Sequence, residues 1–316
     1  MNTYQKYKPA WLQLLIFMSL TIGIFFALSF IAVFIIAKIY NLAPLQLTNP
    51  DLSEPAIVSA TKLVQAVSTI VFFLIPSLVF AYLSDRKPLQ YAGLRQPTPW
   101  IYYLIGVLVI FACFPMVSWL GDLNDQIHLP GSMQETEKML RNVEAKQNDY
   151  LRKILVMRSP VDLLNMLVVL ALLPALAEEL FFRGILQRIF IQMTRSPWFG
   201  IIITAVIFSA LHGQFLGFIP RLVLGIVLGA LYWYSGSLYP GMVAHFLNNA
   251  VQIVLVYFSP EFLEKDIHFS AAIITGSTLL VVVLTWWMMR ISQTSYTEIY
   301  DTDDDFHIGS RDQYTA

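Results

Sequence analysis

Glu178-Glu179-Leu180-Phe181-Phe182-Arg183 sets two carboxylates and a guanidinium directly behind the apolar run Val161–Ala177, with no loop signal between them. Two later apolar segments carry His212 and His245, and Asn249 follows the second histidine by four residues. An ionisable group at membrane depth costs several kcal/mol, roughly 2.5–3.5 on insertion scales, so such groups mark function by default. Glu179 and Arg183 stand at i, i+4 with the acid N-terminal, the favourable order for a helical ion pair. That pairing keeps Glu179 ionised and occupied. Its neighbour points about 100° away on a helix. Glu178 is then free and partly desolvated, as a general base near neutral pH requires. Phe208 and His212 share one helix face, and His245 shares another with Asn249, with Asn248 close by.

A base, a cation and neutral polar groups on apolar helices suit amide hydrolysis. Glu178 would deprotonate a water, and imidazole and carboxamide would stabilise the oxyanion. A second inventory fits the same residues: two histidines and one carboxylate with an open position are the ligands of a catalytic zinc. There is no His-Glu-x-x-His, so the local zinc-protease signature is absent. Each cluster also has a plain structural reading. Glu178–Arg183 could be the polar end of a span, His212 an interfacial histidine, and His245 with Asn249 helix-packing glue.

The elements that carry these residues are membrane helices. The chain has 316 residues, 57% hydrophobic and 13% charged, where a soluble domain carries about 25% charge. Its mean hydropathy is +0.62. The expected fold class is all-α, a polytopic membrane bundle of about eight transmembrane helices around a polar intramembrane cavity. The candidate spans are Trp11–Ala37, Ala56–Leu83, Trp100–Leu120, Val161–Phe190, Trp198–His212, Phe218–Tyr234, Leu238–Phe258 and Phe269–Met289. The fifth and sixth are short and close enough to form a tight hairpin. The first is about 27 residues, longer than a signal-peptide core of about 7–15, and is read as a retained span.

Lys6, Lys8, Arg86, Lys87, Arg95, Arg195 and Arg290 fall on one side of this arrangement. The positive-inside rule then places both termini in the cytoplasm, in what is expected to be a bacterial cytoplasmic membrane. Gly121–Pro160 falls outside, with a helical pattern in Met133–Val156; it reads as an amphipathic surface helix, a partial lid or a solvated linker. The division is residues 1–159 as an N-terminal membrane region, 160–258 as a catalytic core, 259–290 as a last span and 291–316 as an acidic tail. A net charge of −1 gives no sign of a nucleic-acid partner, and the lone Cys113 excludes a disulfide framework.

The three clusters together resemble the CPBP intramembrane proteases. These comprise the endopeptidases that trim prenylated CAAX proteins in eukaryotes, and many prokaryotic, Abi-type relatives. That family carries Glu-Glu-x-x-x-Arg, then Phe-x-x-x-His, then His-x-x-x-Asn. Here these stand as Glu178-Glu179…Arg183, Phe208…His212 and His245…Asn249, and the resemblance covers about residues 160–255. It implies a helical fold with a polar cavity open towards the cytoplasmic side. It implies that Glu178 activates the water and that His212, His245 and Asn249 line the site. Glu179 and Arg183 would position the substrate or the catalytic Glu. The family has been described both as metalloproteases and as metal-independent glutamate proteases. Asn is a poor zinc ligand, so a metal, if used, would sit on Glu178, His212 and His245.

The expected function is an intramembrane endopeptidase whose partners are the lipid bilayer and a membrane-anchored protein or peptide. Two other readings compete. A non-catalytic scaffold or bacteriocin-immunity-type relative would have no physical need of both base and oxyanion partners. A proton-coupled transporter is disfavoured by the absence of internal repeats.

Overall fold

The computed structural model describes residues 4–95, 98–263 and 267–296. Lys265 and the acidic stretch from residue 297 lie outside them. The long helices are α1 (Ala10–Ile39), α2 (Pro55–Ser84), α3 (Trp100–Asp125), α4 (Gln134–Ile154) and α5 (Pro160–Thr194). They continue with α6 (Pro197–Leu211), α7 (Phe218–Ser235), α8 (Leu238–Phe258) and α9 (Ala271–Ile291). No strand occurs among the described residues. All but α4 and α6 are long and apolar enough to cross a membrane, seven among the described residues.

The expected fifth span is the exception. The 15 residues of α6 rise about 22 Å, short of a hydrocarbon core about 30 Å thick. It folds back on α7 as a hairpin, closed where Ser209 Oγ donates to the Phe218 carbonyl at 2.6 Å. The turn of this hairpin, and His212 with it, lies beside the last turn of α3 and α4.

Long-range contacts sort the connections between two ends of the bundle. At one end Lys6 pairs with Asp85, Ser237 donates to the Arg95 carbonyl, and Ser292 donates to the Tyr234 carbonyl. At the other end Asn124 binds the Phe215 carbonyl, Ser118 the Ile267 carbonyl and Arg152 the Leu263 carbonyl. The second end also carries α4. Its acidic first turn (Glu135, Glu137) and basic last turn (Arg152, Lys153) match the helix dipole. The segment read from sequence as helix, lid or linker is thus a formed helix over 134–154.

Proline shapes α2 and α5. The turns Ile70–Leu74 and Leu167–Leu172 are π-helical, and each comes just before a proline, Pro76 and Pro174. A proline removes one backbone donor and presses its ring on the carbonyl four residues back. A widened turn at that spot accommodates both effects.

The middle of α5 is the core of the molecule. All nine residues Glu179–Gln187 are buried, in a further π-helical stretch. Phe181 meets Phe17 at 4.8 Å between ring centroids, and Phe182 meets Phe208 edge-on at 5.0 Å. Two side-chain bonds set the register of α5 against α7. Arg183 Nη2 donates to the Gly225 carbonyl at 3.2 Å, and Gln187 Nε2 to the Gly229 carbonyl at 3.0 Å. Both pairs are 42 residues apart, so the helices run parallel and in step. Glycine suits this approach: a Cβ on Gly229 would stand 2.7 Å from Gln187 Oε1 and 3.0 Å from Ile201 Cγ2 and would displace the glutamine amide.

Candidate active site

The site forms where α5, the α6–α7 turn and α8 meet. Arg183 Nη1 donates to Glu179 Oε1 at 2.8 Å, with both side chains almost wholly buried. The same carboxylate oxygen accepts from His245 Nδ1 at 2.9 Å. Arg183 also lies over the Phe208 ring, 4.6 Å from its centroid. Glu179 is therefore shared between a guanidinium and an imidazole, and the cation is held by a carboxylate, a carbonyl and an aromatic face.

Glu178 is placed differently. Its Oε2 stands 3.9 Å from His245 Nε2, too far for a direct hydrogen bond. The carboxyl is buried but has no tight partner of the kind that Glu179 has. His212 terminates α6, and its Nδ1 bonds the Phe208 carbonyl at 2.8 Å. Phe208 separates the two histidines, with its ring 4.7 Å from His212 and 6.1 Å from His245. Asn249 lies one turn beyond His245 on α8, and its Oδ1 accepts from Asn248 Nδ2 at 3.1 Å.

The donor assignment follows from these partners. A carboxylate and a carbonyl only accept. Both Nδ1 atoms therefore carry the proton, and in the neutral imidazoles both Nε2 atoms present lone pairs. Two such histidines with a carboxylate have the right chemistry for zinc, down to the Glu179–His245 bond behind the ligand. Their spacing does not fit. Among the described residues no three His, Cys, Asp or Glu side chains gather closely enough to hold a metal ion.

The exposed edge of the cluster is His212 with Gly213, at the α4 end of the bundle. The turn there is tied down from two elements. Asn124 Nδ2 donates to the Phe215 carbonyl at 2.8 Å, its Oδ1 accepts from Ile219 N–H at 3.0 Å, and Glu144 Oε2 accepts from Leu216 N–H at 2.8 Å. Cavities flank α8, among them one of about 370 Å³ (Leu176, Met242 and Phe246 among its walls) and one of about 250 Å³ (Asn248 and Gln252). Neither is lined by Glu178, Glu179, Arg183, His212 or His245.

One charged residue of this region is missing from the sequence reading. Arg221, in the first turn of α7, interacts electrostatically with Glu178, His212 and Glu144. A cation inside a span is the same signal that singled out Glu178–Arg183.

Comparison with known proteins bears on the same stretch. The protein YpbD of Bacillus subtilis (strain 168), itself described as uncharacterized, is 34% identical over 106 residues, 32% of this chain and 50% of that protein. The chain thus spans about half the length of the curated relative it matches. No solved structure matches it. Residues 160–251, which carry all three motifs, match the Rce1-like family, described as type II CAAX prenyl endopeptidase Rce1-like, so the similarity to that family lies in the segment that forms the site.

Proposed function

We propose that the protein is an intramembrane endopeptidase that hydrolyses a peptide bond in a membrane-anchored protein or peptide, with a water activated by Glu178. One observation carries this reading: Glu178 Oε2 and His245 Nε2 face each other across 3.9 Å. A water about 2.8 Å from each atom spans that separation. Both atoms accept, so the water's two protons point at them and its lone pairs are free to attack. Glu178 takes one proton as the oxygen adds to the substrate carbonyl carbon. It returns that proton to the leaving nitrogen as the C–N bond breaks.

Glu179 fixes the tautomer of His245 from behind, and Arg183 holds Glu179 in place. His212, with its free Nε2 at the exposed edge, and Asn249 flank the path to the water. The family match and the apolar helices support this reading at the level of an intramembrane protease. No step is routed through a metal, because the candidate ligands do not gather. Metal analysis of the active protein with a chelator test is expected to find activity with no bound zinc; a loss restored by zinc would replace the Glu–water mechanism.

The decisive test is Glu178→Gln, assayed in lipid nanodiscs on a quenched fluorescent peptide with one transmembrane segment that the wild-type protein cleaves. The near-isosteric change removes the base and is expected to lower kcat by about 10²–10⁴-fold. Cleavage at the wild-type rate would return the chain to the scaffold reading. The site edge lies at the α4 end, opposite the end carrying Lys6, Arg95 and Arg290. With cytoplasmic termini the substrate reaches the site from the far side of the membrane, and a cytoplasmic opening requires the reverse orientation.

A further inference from the structure

Hydrolysis through Glu178 needs donors for the oxyanion. The Nδ1 protons of the two histidines are committed to Glu179 and to the Phe208 carbonyl. Asn249 can offer its amide. Arg221 is a further donor at the cluster.

The register of α5 on α7 says where Arg221 stands. Arg183 meets Gly225, and Gln187 meets Gly229, at the constant offset of 42 residues. One turn earlier, the same offset sets the backbone of Arg221 level with Glu179, and its charge is within electrostatic reach of Glu178. At the two deeper rungs α7 offers a glycine carbonyl to a side chain of α5. At this rung α7 offers a side chain of its own. Side chains on a helix lean towards its N-terminus, and the Arg221 guanidinium lies back on Gly217. A Cβ on Gly217 would stand 2.6 Å from Nη1, 2.7 Å from Nη2 and 2.9 Å from Cζ. Nη2 donates to Gln214 Oε1. Nη1 is buried and has no hydrogen-bond partner. Its neighbour Glu144 is turned to the loop, where it accepts from Leu216 N–H.

We propose that Arg221 is a catalytic residue of this hydrolysis, donating its unpartnered Nη1–H to the oxyanion of the tetrahedral intermediate. The proposal rests on the hydrolytic reading above. Glu178 removes a proton from water, the oxygen bonds to the carbonyl carbon, and the C=O electron pair moves onto the oxygen that Arg221 faces. When the intermediate collapses, that pair re-forms the carbonyl, and the leaving nitrogen takes the proton from Glu178. A fixed donor aimed at charge that develops only in the transition state acts on kcat rather than on KM.

The test uses the full chain in nanodiscs, the same transmembrane reporter peptide, and a phosphinate isostere of its scissile bond as inhibitor. Arg221→Gln is expected to lower kcat by about 10²–10³-fold, with KM within about twofold and phosphinate affinity falling in parallel. Arg221→Lys keeps the charge and is expected to retain part of the rate. Gly217→Ala keeps the arginine and pushes its guanidinium aside, so it is expected to lower kcat by an intermediate factor. It also serves as the test if Arg221→Gln fails to fold. A kcat near wild type in Arg221→Gln, or a fall in kcat with phosphinate affinity unchanged, overturns the assignment. Glu178→Gln separates the two levels: if it abolishes cleavage while the Arg221 and Gly217 variants cleave normally, this assignment fails and the hydrolytic reading stands. If Glu178→Gln also cleaves normally, both fail.

Discussion

Glu178 and Glu179 are adjacent, identical in type and on the same helix, yet they serve two differently built regions. The inner region is closed. Glu179 is fully buried and holds Arg183 and His245 through Oε1 at 2.8 and 2.9 Å, with its Oε2 left without a hydrogen-bond partner, and Arg183 is satisfied again by Gly225 and Phe208. The outer region is open and under-satisfied. Glu178 meets His245 only at 3.9 Å, His212 is exposed, and Arg221 has a buried nitrogen without a partner. One helical step thus separates a carboxylate committed to structure from one available for reaction. Incompletely paired groups beside an exposed edge are where chemistry is expected, because a substrate can reach them.

Stability measurements can break this contrast. Arg183→Met removes the cation and leaves Glu179 buried without it; breaking a buried pair from one side costs about 3–5 kcal/mol. Glu178→Gln removes a charge that no tight bond holds, and its cost is expected to stay below about 1 kcal/mol. Thermal unfolding in detergent reads both. Equal losses would mean that Glu178 belongs to the scaffold as much as Glu179 does, and that the division between inner and outer regions is wrong.

What the sequence made legible was local. The Glu179–Arg183 pair follows from i, i+4 spacing, and so does the approach of His212 to Phe208. Pairings across long separations were not legible. His245 reads as a partner of the reacting water, but its tight bond goes to Glu179, 66 residues away. The helical pattern in Met133–Val156 shows α4 without showing what it holds, because Glu144 meets Leu216 across 72 residues. Counting apolar residues gave α6 as a span. Its 15-residue length and its hairpin with α7 emerge only in the packed structure. Arg221 was hidden for the opposite reason: averaged over an apolar run, one cation barely lowers the hydropathy, although its energetic signal is as strong as that of Glu178.

The smallest effect concerns how the outer region is held from outside. Glu137, in the first turn of α4, takes bonds from His128, Leu129 N–H and Arg141 at 2.8–2.9 Å. The His128 hydrogen bond first, then the Leu129 amide and Arg141, hold its carboxyl well below the usual range, at about 2 against an ordinary 4.5. A depressed carboxylate adds stability that is fully present above its unfolded value and is lost as pH falls towards its folded value. The anchorage of α4 is therefore expected to hold at pH 5 and above and to weaken between about pH 4.5 and 2. Amide exchange at Leu129 and along α4 should rise in that window, while the buried stretch Glu179–Gln187 stays protected. Glu137→Gln should bring the faster exchange to neutral pH and remove its acid dependence. If instead α5 loosens together with α4, the outer region is not a separately held layer, and the contrast with the closed inner region does not extend to the helix that covers it.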